Sequence, residues 1–166
     1  MKGQRRVSRL ARREEAPAPA RPYLVPRYRI SLVQEAAYPT EAPIVTDSRA
    51  AGQALQPVFE GLDREQFVVC CLDAKHRIIG VNVVSVGSLT LSIVHPREVF
   101  KPAILLNAAA VLLAHNHPSG DSTPSQEDRA LTARLKAAGE VLGITVLDHV
   151  IVGDGRLYSF ADEGQL

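Results

Sequence analysis

The sequence predicts an α/β fold, a mixed β-sheet flanked by helices and preceded by a disordered N-terminal tail. Two apolar runs, residues 67–72 and 108–114, do not alternate with polar residues, as expected of strands covered on both faces. Segments with apolar residues at helical spacing are interleaved with these runs, the order in which helices pack onto a sheet. The 166 residues are 46% hydrophobic and 22% charged, which suits one core rather than several.

Composition also excludes. Gly and Pro stand at 11 each, too few for a collagen-like or low-complexity chain. The longest apolar stretches fall far short of the roughly 20 residues of a spanning helix, so no membrane segment is expected. Cys70 and Cys71 are adjacent, a geometry that disfavours a structural disulfide between them, and they read as small core residues. The charged N-terminus lacks a following apolar region, so a cytoplasmic chain is expected.

Residues 1–43 read as a basic, Pro-rich tail and residues 44–166 as the folded domain. Residues 1–30 hold nine basic and two acidic groups, a net +7, against ten basic and sixteen acidic in residues 31–166, a net −6. The run Lys2, Arg5, Arg6, Arg9, Arg12 and Arg13 can attract phosphates.

Within the domain, Asp47 or Ser48 can cap a helix to about Phe59, with Ala51, Leu55 and Val58 on its apolar face. Residues 67–72 form a strand, and the polar turn 73–77 leads into a hairpin partner over 78–86. A third strand is expected over 89–94. Pro96 opens a helix to Asn107, which Pro102 should kink. Residues 108–114 make a buried strand, and 115–123 a polar loop. Pro124 opens a helix with Ala130, Leu131, Leu135 and Ala138 at helical spacing, stopped by Gly143. A hairpin of 144–152 and 156–160 about Gly153-Asp154-Gly155 closes the domain.

The chemistry is concentrated in residues 115–128, HNHPSGDSTPSQED. Residues two apart in extended chain point the same way, so His115 and His117 can converge on one ion. Ser125 and Asp128, three apart at a helix start, share a face, and Asp128 offers an anionic oxygen to complete two nitrogen ligands. Three protein ligands leave a fourth position open, as in hydrolytic rather than structural zinc sites. Two histidines in a polar loop can simply bond to backbone; here Pro118 and Gly120 enforce a turn that returns a carboxylate at the right helical offset.

His115, His117, seven residues, Ser125, two residues and Asp128 resemble the JAMM motif of MPN-domain metalloproteases. The segments VHPREVF at 94–100, HNHPSGD at 115–121 and LDHVIVGDG at 147–155 resemble its RadC branch, over residues 44–166. The resemblance implies an MPN/JAB, cytidine-deaminase-like sheet and Zn2+ held by His115, His117 and Asp128. It also implies a general acid/base glutamate, Glu65, and a serine near the oxyanion, Ser125. By the residues alone, Glu60, Asp63, Glu65, Glu98 and Glu127 all compete for the acid/base role. Glu127 is the weakest, since it points about 100° away from Asp128 around the helix; Glu65 stands at the start of an apolar strand. Ser125, Ser122 or Thr123 can equally cap the following helix. Asn116 should face away from the ion, either behind the ligands or towards solvent; Asp121 suits a turn, with contact to a histidine as the alternative; His95 and His149 suit structural roles, although His149 beside Asp148 can line the cleft; and His76 suits a solvated turn.

The leading expectation is a zinc metallopeptidase or isopeptidase that hydrolyses an amide bond in a protein or peptide substrate. The alternative is a RadC-type DNA repair or recombination accessory protein that binds nucleic acid through residues 1–30. RadC-like proteins often carry a helix-hairpin-helix module before the catalytic domain, and residues 1–43 are too short and Pro-rich to hold one, which disfavours that alternative. A scaffold of the same fold would normally have lost ligands, and none is missing here. On the charge pattern, DNA binding should be weak, sequence-independent and steeply salt-dependent, and should vanish on deleting residues 1–30. Gel shifts across a salt series check this; tight, sequence-selective binding by the truncated chain contradicts it.

Overall fold

The structure, a computed structural model, describes residues 24–87 and 94–166. The chain divides into two units, Met1–Ser31 and Leu32–Leu166. Of the first, residues 24–31 are described and form no helix or strand. The expected basic run Lys2 to Arg13 lies outside the described residues. So does the expected strand over 89–94, except Val94, which is buried and outside any strand.

In the second unit the first pairing is a bridge from Ile44 to Arg77. Helix α1 spans Ser48–Phe59, and Asp47 caps it by accepting a 2.7 Å bond from the Ala50 amide. Strands β1 (Gln66–Leu72) and β2 (Ile78–Val86) form the expected hairpin. In its turn, the Asp73 carboxylate accepts from the Lys75 and Arg77 amides. Helix α2, Pro96–Leu105, is capped by His95 and contains Pro102 without interruption. Pro102 lies in its last turn, where the missing donor leaves only the Glu98 carbonyl without its helical partner. The helix ends two residues before the expected Asn107, which adopts φ 53° beyond it.

Strand β3, Ala110–Asn116, extends two residues past the expected run and so carries His115 and Asn116 within the sheet rather than in a loop. Helix α3 spans Gln126–Leu142; it starts after Ser125 rather than at Pro124 and stops at Gly143, whose φ of 68° suits glycine. Strands β4 (Thr145–Val152) and β5 (Leu157–Ser159) complete, among the described residues, a five-stranded sheet in the order β2-β1-β3-β4-β5. All pairs are antiparallel except β3 with β4, which α3 connects.

The central strands β1 and β3 explain the missing alternation. Val68, Cys70, Leu72, Leu112 and Ala114 pack with α1 on one face. Phe67, Val69, Cys71, Val111 and Leu113 pack with Val99 and Phe100 of α2 and Leu135 of α3 on the other. Both cysteines are buried and free, and burial pushes both thiols up to about 12. No helix among the described residues is long and apolar enough to cross a membrane.

The end of α3 sits so close to β4 that no side chain fits at Gly139. A Cβ there would lie 2.5 Å from the Ile144 carbonyl oxygen and 3.2 Å from Phe100 and Val146. Gly139→Ala is therefore expected to destabilise the domain by about 1–3 kcal/mol. Urea denaturation of both proteins measures it, and an unchanged midpoint contradicts the packing described.

Candidate metal centre

The end of the parallel strand β3 and the start of α3 meet where α/β sheets commonly bind ligands, beyond the carboxyl ends of the strands. His115 is the sixth residue of β3, and its side chain shares a face with Leu113 and with α3. His117 follows just past the strand, held to the neighbouring strand by its amide bond to the Val152 carbonyl, 2.9 Å. The loop beyond it folds back, with the Gly120 amide on the His117 carbonyl and the Asp154 amide on the Gly120 carbonyl. That approach requires a glycine at 153, where a Cβ would lie 2.4 Å from the Gly120 oxygen.

Asp128 arrives from the first turn of α3 by a capping box. Its Oδ2 accepts from the Ser125 amide, 2.8 Å, and from the Ser125 hydroxyl, 2.6 Å, while the Ser125 Oγ accepts from the Asp128 amide, 3.1 Å. Oδ1 is left aimed at His115. It lies 3.3 Å from His115 Nε2, and Asp128 Oδ2 lies 3.8 Å from His117 Nε2. The two Nε2 atoms are 3.1 Å apart, and one ligand atom from each of His115, His117 and Asp128 falls within a 4.8 Å cluster.

This cluster fits a cation. Asp128 Oδ1 is buried and has no hydrogen-bond partner, a costly arrangement for a carboxylate with nothing to balance it. His117 Nδ1 sits 2.6 Å from the Asp121 carbonyl oxygen, which can only accept, so the ring proton is on Nδ1 and a neutral His117 presents a bare Nε2. Ligand atoms each ~2.0–2.1 Å from a tetrahedral zinc stand ~3.3 Å apart, close to the separations found between His115 Nε2 and its two neighbours.

Residues 45–165, from just before α1 to beyond β5, match the RadC-like JAB domain. The chain belongs to this family. It is 52% identical over 134 residues to a UPF0758 protein of Symbiobacterium thermophilum, covering 81% of this chain and 57% of that one. A UPF0758 protein of Pelobacter propionicus is 62% identical over 103 residues, 62% of this chain and 45% of that one. One from Thermotoga maritima is 53% identical over 105 residues, 63% of this chain and 47% of that one. The chain thus spans about half the length of these relatives.

The RadC-like domain brings His115, His117, Asp128 and Ser125 together. Glu65 stands one residue before β1, half-buried, and two residues from Phe67, which pairs with His115 and stacks on its ring at 6.0 Å. Of the competing carboxylates, Asp63 pairs with Arg64, Glu98 pairs with Lys101, and Glu60 and Glu127 are exposed. His95 caps α2 and His76 lies in the exposed 73–77 turn. Asp121 makes its expected turn with Thr123, but it is the main-chain oxygen that reaches His117.

The partners of two residues were not legible in the sequence. Asn116 faces away from the cluster, as alternation requires, yet it is buried and clasps the chain beside Glu65: its Oδ1 accepts from the Gln66 amide, 2.8 Å, and its Nδ2 donates to the Arg64 carbonyl, 3.2 Å. His149, expected to be structural, is fully buried with Nε2 at 2.8 Å from His115 Nδ1. The partners are 50 to 52 and 34 residues apart in the chain, so no local pattern could link them.

Burial lowers the pKa of the His115 imidazole, opposed by the Asp128 carboxylate and assisted by His117. Burial also lowers that of His149 well below its ordinary value, with His115 and His117 adding to the effect. Both groups titrate lower in the fold than their ordinary 6.5, so below that pH the unfolded chain binds more protons. The metal-free protein is therefore expected to be fully stable above about pH 6.5 and to lose about 1.4 kcal/mol per pH unit per buried histidine below it. Urea unfolding in chelator from pH 7.5 to 5 measures the slope; a flat profile contradicts it.

Proposed function

We propose that this domain is a zinc-dependent metallopeptidase or isopeptidase that hydrolyses an amide bond in a protein or peptide. The observation that carries the proposal is the buried, unpartnered Asp128 Oδ1 beside the His115 imidazole, whose Nε2 lies 3.1 Å from that of His117. A carboxylate and two histidines make a donor set suited to zinc, and three protein ligands leave a position open for reactants, unlike a closed structural site. Zinc bound by His115, His117 and Asp128 supplies Lewis acidity and lowers the pKa of water to about 7.

The remaining work falls to the chain. Glu65 takes a proton from the attacking water and delivers it to the leaving amine, the general acid/base role. Asn116 supports this by gripping the main chain on both sides of Glu65, which limits the orientations the carboxylate must search. Ser125 stabilises the oxyanion that develops on the scissile carbonyl. Its single hydroxyl proton is shared with Asp128 Oδ2 in the resting arrangement, so that role requires the hydroxyl to rotate towards the substrate. Capping of α3 survives the rotation, because the Ser125 Oγ still accepts from the Asp128 amide and the Ser125 amide keeps its own bond to the carboxylate.

Two substitutions separate the roles, with zinc content and turnover measured on the same preparations against a peptide and isopeptide substrate panel. Glu65→Gln keeps the size of the side chain but cannot accept the water's proton, so it should retain zinc and lose about 10²- to 10⁴-fold in turnover. Asp128→Asn should instead lose zinc. A fully active Glu65→Gln, beside another carboxylate variant that is inactive with zinc intact, reassigns the general base. Zinc-loaded wild type that cleaves no member of the panel, isopeptides included, contradicts the hydrolase reading.

A further inference from the structure

Neither His149 nor Thr132 touches the cluster's centre, yet both are buried behind His115 in a continuous hydrogen-bonded line. His149 Nε2 lies 2.8 Å from His115 Nδ1, and His149 Nδ1 lies 2.6 Å from Thr132 Oγ1, which in turn lies 2.6 Å from the Asp128 main-chain oxygen. The His149 ring cannot tumble. It stacks on Phe160 with an interplanar angle of 7° and meets Phe67 edge-on, and its main chain is held by Asp148 and Phe160.

We propose that Thr132 and His149 are positioning residues of the metal centre, a one-way hydrogen-bond chain that keeps the His115 proton on Nδ1 and presents a bare Nε2 to the ion. The directions follow from the inventory of donors and acceptors. A carbonyl oxygen only accepts, so the single Thr132 hydroxyl proton points to Asp128. Towards His149 the same oxygen must accept, which places the His149 proton on Nδ1. Neutral His149 then offers a lone pair at Nε2, and His115 must donate to it from Nδ1. The line begins on the Asp128 main-chain oxygen and ends 3.3 Å from the Asp128 carboxylate, so one residue both anchors the chain and supplies a ligand atom. Ligating histidines whose second nitrogen is fixed in this way bind metal more tightly, commonly by 10- to 100-fold.

This inference rests on reading His115, His117 and Asp128 as a metal site, and the experiment distinguishes the two. Thr132→Val keeps the shape and removes the hydroxyl. His149 then favours a proton on Nε2, donates to His115, and drives the His115 proton onto the ligating nitrogen. Zinc affinity, measured by competition with a chromogenic chelator on protein shown to be folded by circular dichroism, should fall about 10- to 100-fold. Thr132→Ser should restore it to within about threefold. Imidazole ¹⁵N spectra of the wild-type chain should show both His115 and His149 with the proton on Nδ1. A folded Thr132→Val with wild-type affinity overturns the proposal. So does a wild-type His149 protonated on Nε2, a result that does not depend on the variant folding. Failure of the wild type to bind zinc at all is a different result, which removes the metal reading itself and the proposal with it.

Discussion

The constraint on which the site depends is a buried carboxylate oxygen with no donor to satisfy it. Leaving Asp128 Oδ1 without a hydrogen bond 3.3 Å from His115 Nε2, while His117 presents a lone pair 3.8 Å from Oδ2 of the same carboxylate, is unfavourable by electrostatics and by desolvation. Proteins tolerate such arrangements when a cation completes them. The surrounding bonds enforce it: Ser125 occupies Oδ2 twice, and Asp121 fixes the proton of His117 on the far side of its ring. Each device consumes the proton that would otherwise relieve the crowding.

The fold supplies the rigidity that such a centre needs. Strand β3 is buried on both faces, so the imidazole of His115 leaves a backbone held by β1 on one side and β4 on the other. The loop that follows is pinned to the β4–β5 turn through Gly120 and Asp154. Asp128 enters from a helix start whose partial positive charge favours an anion. Asn116 ties the same strand to the chain around Glu65, which links the position of the proposed base to that of the ligands.

What was legible in the sequence was what is local. Asp128 is three residues from Ser125 and eleven from His117, and a turn with Pro and Gly closes that interval, so the ligands could be read together. The capping box was readable for the same reason, as were β1 and β3 from their unbroken apolar runs. Boundaries were less so: β3 extends through Asn116 because β1 pairs with it as far as His115 and β4 as far as Asn116, which polar side chains at 115 and 116 conceal. The His149 and Asn116 contacts depend on the sheet order β2-β1-β3-β4-β5, which no periodicity in a single strand encodes. Glu65 stands between these cases, since its place before an apolar run was visible while its grip by Asn116 was not.

Zinc stoichiometry is the most direct test of the central claim that His115, His117 and Asp128 are arranged to hold a cation. Purified chain, stripped with chelator, re-equilibrated with zinc and freed of excess, should hold about one zinc per chain by elemental analysis. The double variant His115→Ala, His117→Ala, shown to be folded, should hold almost none. Full retention of zinc by that variant, or a folded wild type that takes up none, contradicts the account.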